Sequence, residues 1–203
     1  MSQPAARIEE LLASARGGDR AAVDKILDLY RNYLYLLART QIDMNLARRV
    51  TPSDAVQETL LRAFKNFSRF RGASEAELMG WLRQIFARSL ADHARQARSL
   101  KRDVQREQAW RAGFEQSSRH LAQLAAANQQ SPSEIVSQRE QSVLLADALA
   151  RLPPDYREVI VLRHLERVEF AEIATRLGRS SGAVRMMWAR ALERLRRELD
   201  DIK

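Results

Sequence analysis

Apolar residues recur at three- and four-residue spacing through most of the chain, and nowhere do apolar and polar residues alternate long enough to support a sheet. The pattern predicts an all-α protein. A first short helix stops at Gly17-Gly18-Asp19, and Asp19 can cap a second along which Val23, Ile26, Leu27, Tyr30, Leu34 and Leu37 share a face. Thr51-Pro52-Ser53-Asp54 opens a third: threonine can cap, proline fits the first helical position, and Asp54 lies three residues past the cap. This helix is expected to reach about Phe67, with Val56, Leu60, Phe64 and Phe67 buried. Asp54, Gln57, Glu58, Leu61 and Lys65 then form a mixed polar face. After a polar loop from Phe70 to Gly80, another helix is expected from near Trp81 to beyond Arg95. Leu82, Ile85, Phe86, Ser89, Leu90, His93 and Ala97 share one side of it, His93 reading as an interior histidine, while Trp81, Gln84, Arg88 and Arg95 line the other.

Periodicity fades from Arg98 to Gln138, a stretch that ends in NQQSPS and reads as a partly helical linker becoming flexible. It returns with Val143, Leu144, Ala148 and Leu152, halts and restarts at Pro153-Pro154-Asp155, and continues through Val159, Ile160 and Leu162. The stretch from Phe170 to Leu199 carries the most information. Phe170, Ile173, Ala174 and Leu177 mark a short helix, Gly178 can adopt the positive φ past its end, and Ser180 or Ser181 can cap the next. In that second helix Val184, Trp188, Ala191, Leu195 and Leu199 form the core stripe. Ser181, Gly182, Arg185, Met186, Ala189 and Arg190 fall on or beside the opposite side, where small residues permit close approach to base edges and arginines can bond them. The reading is a helix-turn-helix that enters a DNA major groove.

Charge strengthens this reading. Arg176 to Arg197 holds seven arginines against the single acid Glu193, within a chain of 203 residues that carries 34 basic and 26 acidic residues, net +8. Only Lys25, Lys65, Lys101 and Lys203 are lysine, and arginine suits bidentate contacts with phosphate and guanine. No apolar run approaches a bilayer's thickness, and MSQPAARIEELLASARGGD lacks the basic start and apolar core of a secretion signal, so a cytoplasmic location without membrane insertion is expected. With no cysteine and with His93, His120 and His164 scattered, no metal, cofactor or catalytic centre is expected.

On four stretches the chain resembles the sigma-70 family of bacterial RNA polymerase sigma factors, in its small extracytoplasmic-function (ECF) form. These are GDRAAVDKILDLY near the start, DAVQETLLRAF at Asp54 to Phe64, GWLRQIFARSLADHAR at Gly80 to Arg95, and the segment Leu152 to Leu195. The resemblance implies two small helical domains joined by a linker. Residues 8–97 would bind polymerase and open the minus 10 element, 98–138 would be the linker, and 139–203 would read minus 35 through the helix-turn-helix. It further implies that Asp54, Gln57, Glu58 and Leu61 meet the coiled coil of the polymerase β′ subunit. Trp81, Gln84, Arg88 and Arg95 would meet minus 10 DNA, and Arg179, Ser180, Ser181, Arg185, Met186 and Arg190 would meet minus 35 DNA. Such a protein acts as a monomer within the holoenzyme, contacts the β subunit as well, needs no cofactor, and has an anti-sigma protein as its candidate controller. Met187 and Trp188 depart from the family, where a basic and a smaller aliphatic residue are common, and the linker's six basic and four acidic residues depart from the acidic linkers of many relatives. The competing readings are a stand-alone helix-turn-helix regulator, for which the chain shows neither a heptad seam nor a sensor domain, and a helical adaptor with solvated basic faces.

Overall fold

A computed structural model describes residues 4–42, 44–95, 103–127 and 138–202. The described residues are helical or connecting, without strand. The chain divides into two compact units, Met1–Glu115 and Gln116–Lys203.

The first unit contains α1 (Pro4–Arg16), α2 (Arg20–Leu29), α3 (Arg31–Gln41), the single turn α4 (Met44–Ala47), α5 (Pro52–Asn66), a 3₁₀ turn at Phe67–Arg69, and α6 (Glu75–Arg95). Asp19 caps α2, its carboxylate accepting from the backbone N–H of Ala21 and Ala22. The helix expected as continuous is divided at Tyr30, a turn residue with φ −97° and ψ 0° between α2 and α3. Tyr30, Tyr33, Leu34 and Leu37 nonetheless share one core with Ile26 and with Leu78, Met79, Leu82, Phe86 and Leu90 of α6.

The α6 helix starts six residues earlier than the periodicity implied, at Glu75 rather than Trp81. The cause is a capping box formed by Ser74 and Glu77. The Ser74 hydroxyl accepts from the Glu77 N–H, while the Glu77 carboxylate accepts from the N–H groups of Ala73 and Ser74. Those bonds hold the Glu77 carboxyl below its ordinary pKa.

A long helix, α7 (Asp103–Ala127), occupies much of the stretch where periodicity faded, and the division between units falls within it. In the first unit Phe114 is fully buried and stacks on Phe86 with centroids 4.8 Å apart. Beside it the buried Arg83 donates to the Tyr33 hydroxyl and pairs with Glu115.

The second unit comprises the rest of α7, α8 (Gln138–Arg151), α9 (Pro154–Ile160) continued by a π turn at Val161–Leu165, α10 (Phe170–Leu177) and α11 (Ser181–Ile202). Its core gathers Leu145, Leu149, Val159, Ile160, Ile173, Val184, Ala191 and Leu195. The double proline breaks the chain between α8 and α9, and Arg157 closes the break. Its guanidinium donates to the carbonyls of Leu149, Ala150 and Leu152 at the end of α8, the first of which also accepts from the Leu152 N–H. Among the described residues no helix is long and apolar enough to cross a membrane, and no cluster of His, Cys, Asp and Glu could hold a metal.

Candidate nucleic-acid interfaces

The turn between α10 and α11 is made by the residues its chemistry demands. Gly178 sits in the left-handed region at φ 62° and ψ 35°, which a side chain would strain. The Arg179 N–H then returns to the Ala174 carbonyl, and the Ser180 hydroxyl accepts from the Ala183 N–H. Ser180 is therefore the cap, and Ser181 is the first residue of α11.

On α11 the buried stripe is Val184, Met187, Ala191, Leu195 and Leu199. Trp188, expected on that stripe, lies at its edge and is half-buried. Its indole N–H donates to His164 Nε2 across 3.0 Å, with the rings stacked 5.9 Å apart, and its edge meets Phe170 at 5.6 Å. Indole is amphipathic, so a boundary position that offers an acceptor suits it better than a dry core. Met187 fills the core place instead. Because His164 accepts this bond at Nε2, it is held neutral there, and burial followed by the charge of Arg163 lowers its pKa.

The opposite face exposes Gly182, Arg185, Met186, Ala189 and Arg190, with Ser181 half-exposed. Ion pairs sort the local arginines into two groups. Arg176 pairs with Glu172 and Glu166, Arg179 with Asp155 at 2.7 Å, Arg194 with Glu198, and Arg197 with Glu193. Arg185 and Arg190 have no carboxylate partner among the described residues. Arg185 instead lies over the Phe170 ring, 5.0 Å from its centroid, with Arg163 also 4.8 Å from that centroid. The expected DNA face thus carries two uncompensated guanidinium groups, one of them held by an aromatic ring, beside the protruding thioether of Met186, 58% exposed.

In the first unit, Trp81, Gln84 and Arg88 follow one another at three- and four-residue steps on α6, the first two half-buried and the third exposed. Trp81 packs on Phe70 at 5.2 Å and edge-on to Phe67 at 5.9 Å, while Arg88 stands 3.7 Å from Glu107. Arg95 is the last residue of α6, and its side chain and Ala97 lie outside the described residues.

The α5 face is more entangled with its own fold. Asp54 is the partner of Thr51 in a second capping box, and Glu58 pairs with Arg62 and meets His93 Nε2 at 2.6 Å. Arg62 reaches on to Asp92. Gln57 and Leu61 remain outside this network, Leu61 being 51% exposed beside a groove of about 560 Å³ between α2 and α5 that Leu60, Phe64, Asp28 and Arg31 also line. Sequence spacing could place Glu58 on the face, but its bonds to His93 across 35 residues carry no sequence signal.

Two family models match the chain. The model of sigma-70 region 2 covers residues 26–100, and that of sigma-70 region 4 covers residues 142–195. The chain is 31% identical over 169 residues to the RNA polymerase sigma-E factor of Streptomyces avermitilis, an alignment covering 82% of this chain and 83% of that one. It is 27% identical over 198 residues to the ECF RNA polymerase sigma factor BldN of Streptomyces coelicolor, covering 97% of this chain and 67% of that protein. With the ECF RNA polymerase sigma factor SigD of Mycobacterium tuberculosis it shares 25% identity over 199 residues, covering 98% and 87%.

Proposed function

Since the chain belongs to the sigma-70 family of RNA polymerase sigma factors, we propose that its two units divide promoter recognition between the sites described above. As an ECF sigma factor it binds core RNA polymerase and promoter DNA and directs promoter-specific initiation. The second unit reads the minus 35 element with α11 in the major groove: Arg185 and Arg190 address base edges, Met186 offers an apolar contact to a thymine methyl, and Ser180 and Ser181 at the helix start meet phosphate. Arg179 joins them by exchanging Asp155 for a phosphate. The first unit takes the minus 10 region, with Trp81 as a stacking platform for an unpaired base and Gln84, Arg88 and Arg95 along the strand. Gln57, Leu61, Asp54 and Glu58 dock on the coiled coil of the β′ subunit, the mixed groove beside Leu61 suiting helix-against-helix contact. Domain limits of 8–97 and 139–203 with the linker at 98–138, contact with the β subunit, control by an anti-sigma protein and action in the cytoplasm complete the proposal.

The observation that carries this reading is the pair of arginines on α11 left without carboxylates, set among small residues on an exposed helical face. The test is transcription by core polymerase supplied with this chain on a pool of promoter DNA, repeated with Arg185→Ala. Specific starts are expected. The variant should recognise its minus 35 element more weakly by about 1 to 3 kcal/mol and with relaxed preference at one base. Uniform loss over all sequences would reassign Arg185 to phosphate, and absence of starts would favour a stand-alone regulator.

A further inference from the structure

Phe170, the first residue of α10, sits at the edge of the second unit's core rather than inside it: Ile173 and Ala174 of the same helix are buried, while Phe170 is half-buried. Three side chains from two other segments converge on its ring. Arg163 of the π turn and Arg185 of α11 place their guanidinium carbons 4.8 and 5.0 Å from its centroid, and Trp188 meets it edge-on. The remaining guanidinium–ring pair among the described residues, Arg20 over Phe64, is looser at 5.9 Å, and Phe64 is half-exposed there instead of buried as its spacing implied.

The two arginines on the Phe170 ring are not equivalent. Arg163 is tied down twice more, donating to the Val168 carbonyl at 3.2 Å and pairing with Glu169 at 3.0 Å. Its charge is thereby balanced. Arg185 has no hydrogen bond or ion pair among the described residues, so the ring is what restrains its guanidinium.

That restraint has a property a carboxylate would lack. A ring attracts the guanidinium charge through its π face but accepts no in-plane N–H bond, so the fork of donors that fits the O6 and N7 of a guanine stays unspent. The ring itself is backed by Trp188, whose indole is bonded to His164. A long side chain loses rotamer freedom when it is fixed on a base, and one already restrained has less to lose. Arg190, the other arginine of this face without a carboxylate, has no ring against it among the described residues and serves as an internal reference.

We propose that Phe170 is a positioning residue for promoter reading: its ring, backed by Trp188, restrains Arg185 before DNA arrives and so sets the strength of preference at the base pair Arg185 addresses. Phe170 acts through Arg185 and not by touching DNA. The inference rests on the reading that α11 enters the major groove of the minus 35 element.

Holoenzyme assembled from core polymerase and the full chain, selecting among promoters randomised across minus 35, tests it, with Arg185→Ala and Arg190→Ala identifying the base pair that each arginine addresses. Phe170→Leu keeps an apolar side chain but removes the π face. It should lower the preference at the Arg185 base pair about 2- to 10-fold and leave the Arg190 base pair unchanged. Phe170→Tyr should behave as the parent, and in an Arg185→Ala background Phe170→Leu should change the preference no further. In the unbound parent, the Arg185 side-chain protons should resonate upfield of those of Arg190 through the ring current, a readout that needs no variant to fold. Equal loss at both base pairs, a loss in Phe170→Tyr as deep as in Phe170→Leu, an unchanged preference in Phe170→Leu, or Arg185 protons without the upfield shift would each overturn the positioning role, while the minus 35 reading stands on Arg185→Ala. If Arg185→Ala itself leaves every preference intact, the reading of α11 falls and the inference with it.

Discussion

The α5 face of the first unit and the α11 face of the second are both helical surfaces with charged residues at three- and four-residue spacing, yet they are wired differently. On α5 the carboxylates are tied to the fold, Asp54 in a capping box and Glu58 to Arg62 and His93. On α11 the arginines at the centre of the exposed face, Arg185 and Arg190, have no such ties, and the ion pairs lie around them at Arg179, Arg194 and Arg197. A substitution on α11 should therefore separate recognition from stability, whereas one on α5 confounds them. The second face leaves its central charges without carboxylate partners, and the first ties its own to the fold.

The sharpest challenge to this contrast is Trp188, a residue beside the exposed face of α11 that is bound into the fold. Trp188→Ala should cost about 3 kcal/mol, the low end for an aromatic because the ring is only half-buried, and thermal unfolding would register it. An unchanged melting temperature would mean that the indole contributes nothing beyond its surface. The same tie can be loosened by acid. His164 and His120 both have lowered pKa values, His120 through burial followed by the charges of Arg167 and Arg119. A histidine whose native pKa lies below the ordinary 6.5 takes up protons more readily when unfolded, so its contribution is whole above about 6.5 and is lost as pH falls towards the native value. The Trp188 indole N–H resonance, followed by NMR, should therefore shift on acidification below 6.5, and invariance down to the unfolding pH would contradict the His164 bond.

Glu58→Arg probes the α5 side and should remove about 2 kcal/mol, since it takes the shared carboxylate away from Arg62 and His93 and sets a second guanidinium beside Arg62. Gln57→Arg, one residue away but outside the network, should stay within about 0.5 kcal/mol. Equal effects on melting temperature would erase the distinction between the two faces. It follows that polymerase docking is better tested at Gln57 and Leu61 than by reversing both acids, because loss of binding in the latter case could be loss of the fold.

Local chemistry was legible from sequence and long-range pairing was not. Gly178, the Thr51 and Asp19 caps and the exposed Gly182, Arg185, Met186, Ala189 and Arg190 follow from residue type and spacing within a turn or two. The start of α6 was equally local, since Ser74 and Glu77 spell a capping box, but apolar periodicity begins later and masks it. By contrast, the burial of Arg83 depends on Tyr33, 50 residues away, and the position of Trp188 depends on His164, 24 residues away. Periodicity places a residue on a side of a helix to within about one 100° step, which is the difference between Met187 and Trp188. Phe114 went unnoticed because the buried stripe of α7, Phe114, Ser117, Ser118, Leu121 and Leu124, is interrupted by serines, which apolar periodicity does not register.

The smallest effect expected is a gain. Arg167, in the turn between the π segment and α10, is the one described residue other than glycine with positive φ, at 57°. Its guanidinium reaches His120 Nε2 at 2.7 Å, a single exposed hydrogen bond holding a conformation that costs a side-chain-bearing residue about 1 to 2 kcal/mol. Glycine adopts that conformation freely but has more freedom to lose on folding. Arg167→Gly should thus stabilise the second unit by about 0.5 to 1 kcal/mol and leave base preference at Arg185 untouched, as measured by denaturant unfolding beside promoter selection. A loss of stability would show that the bond to His120 outweighs the strain, and would join this turn to α7 as firmly as Glu58 joins α5 to α6.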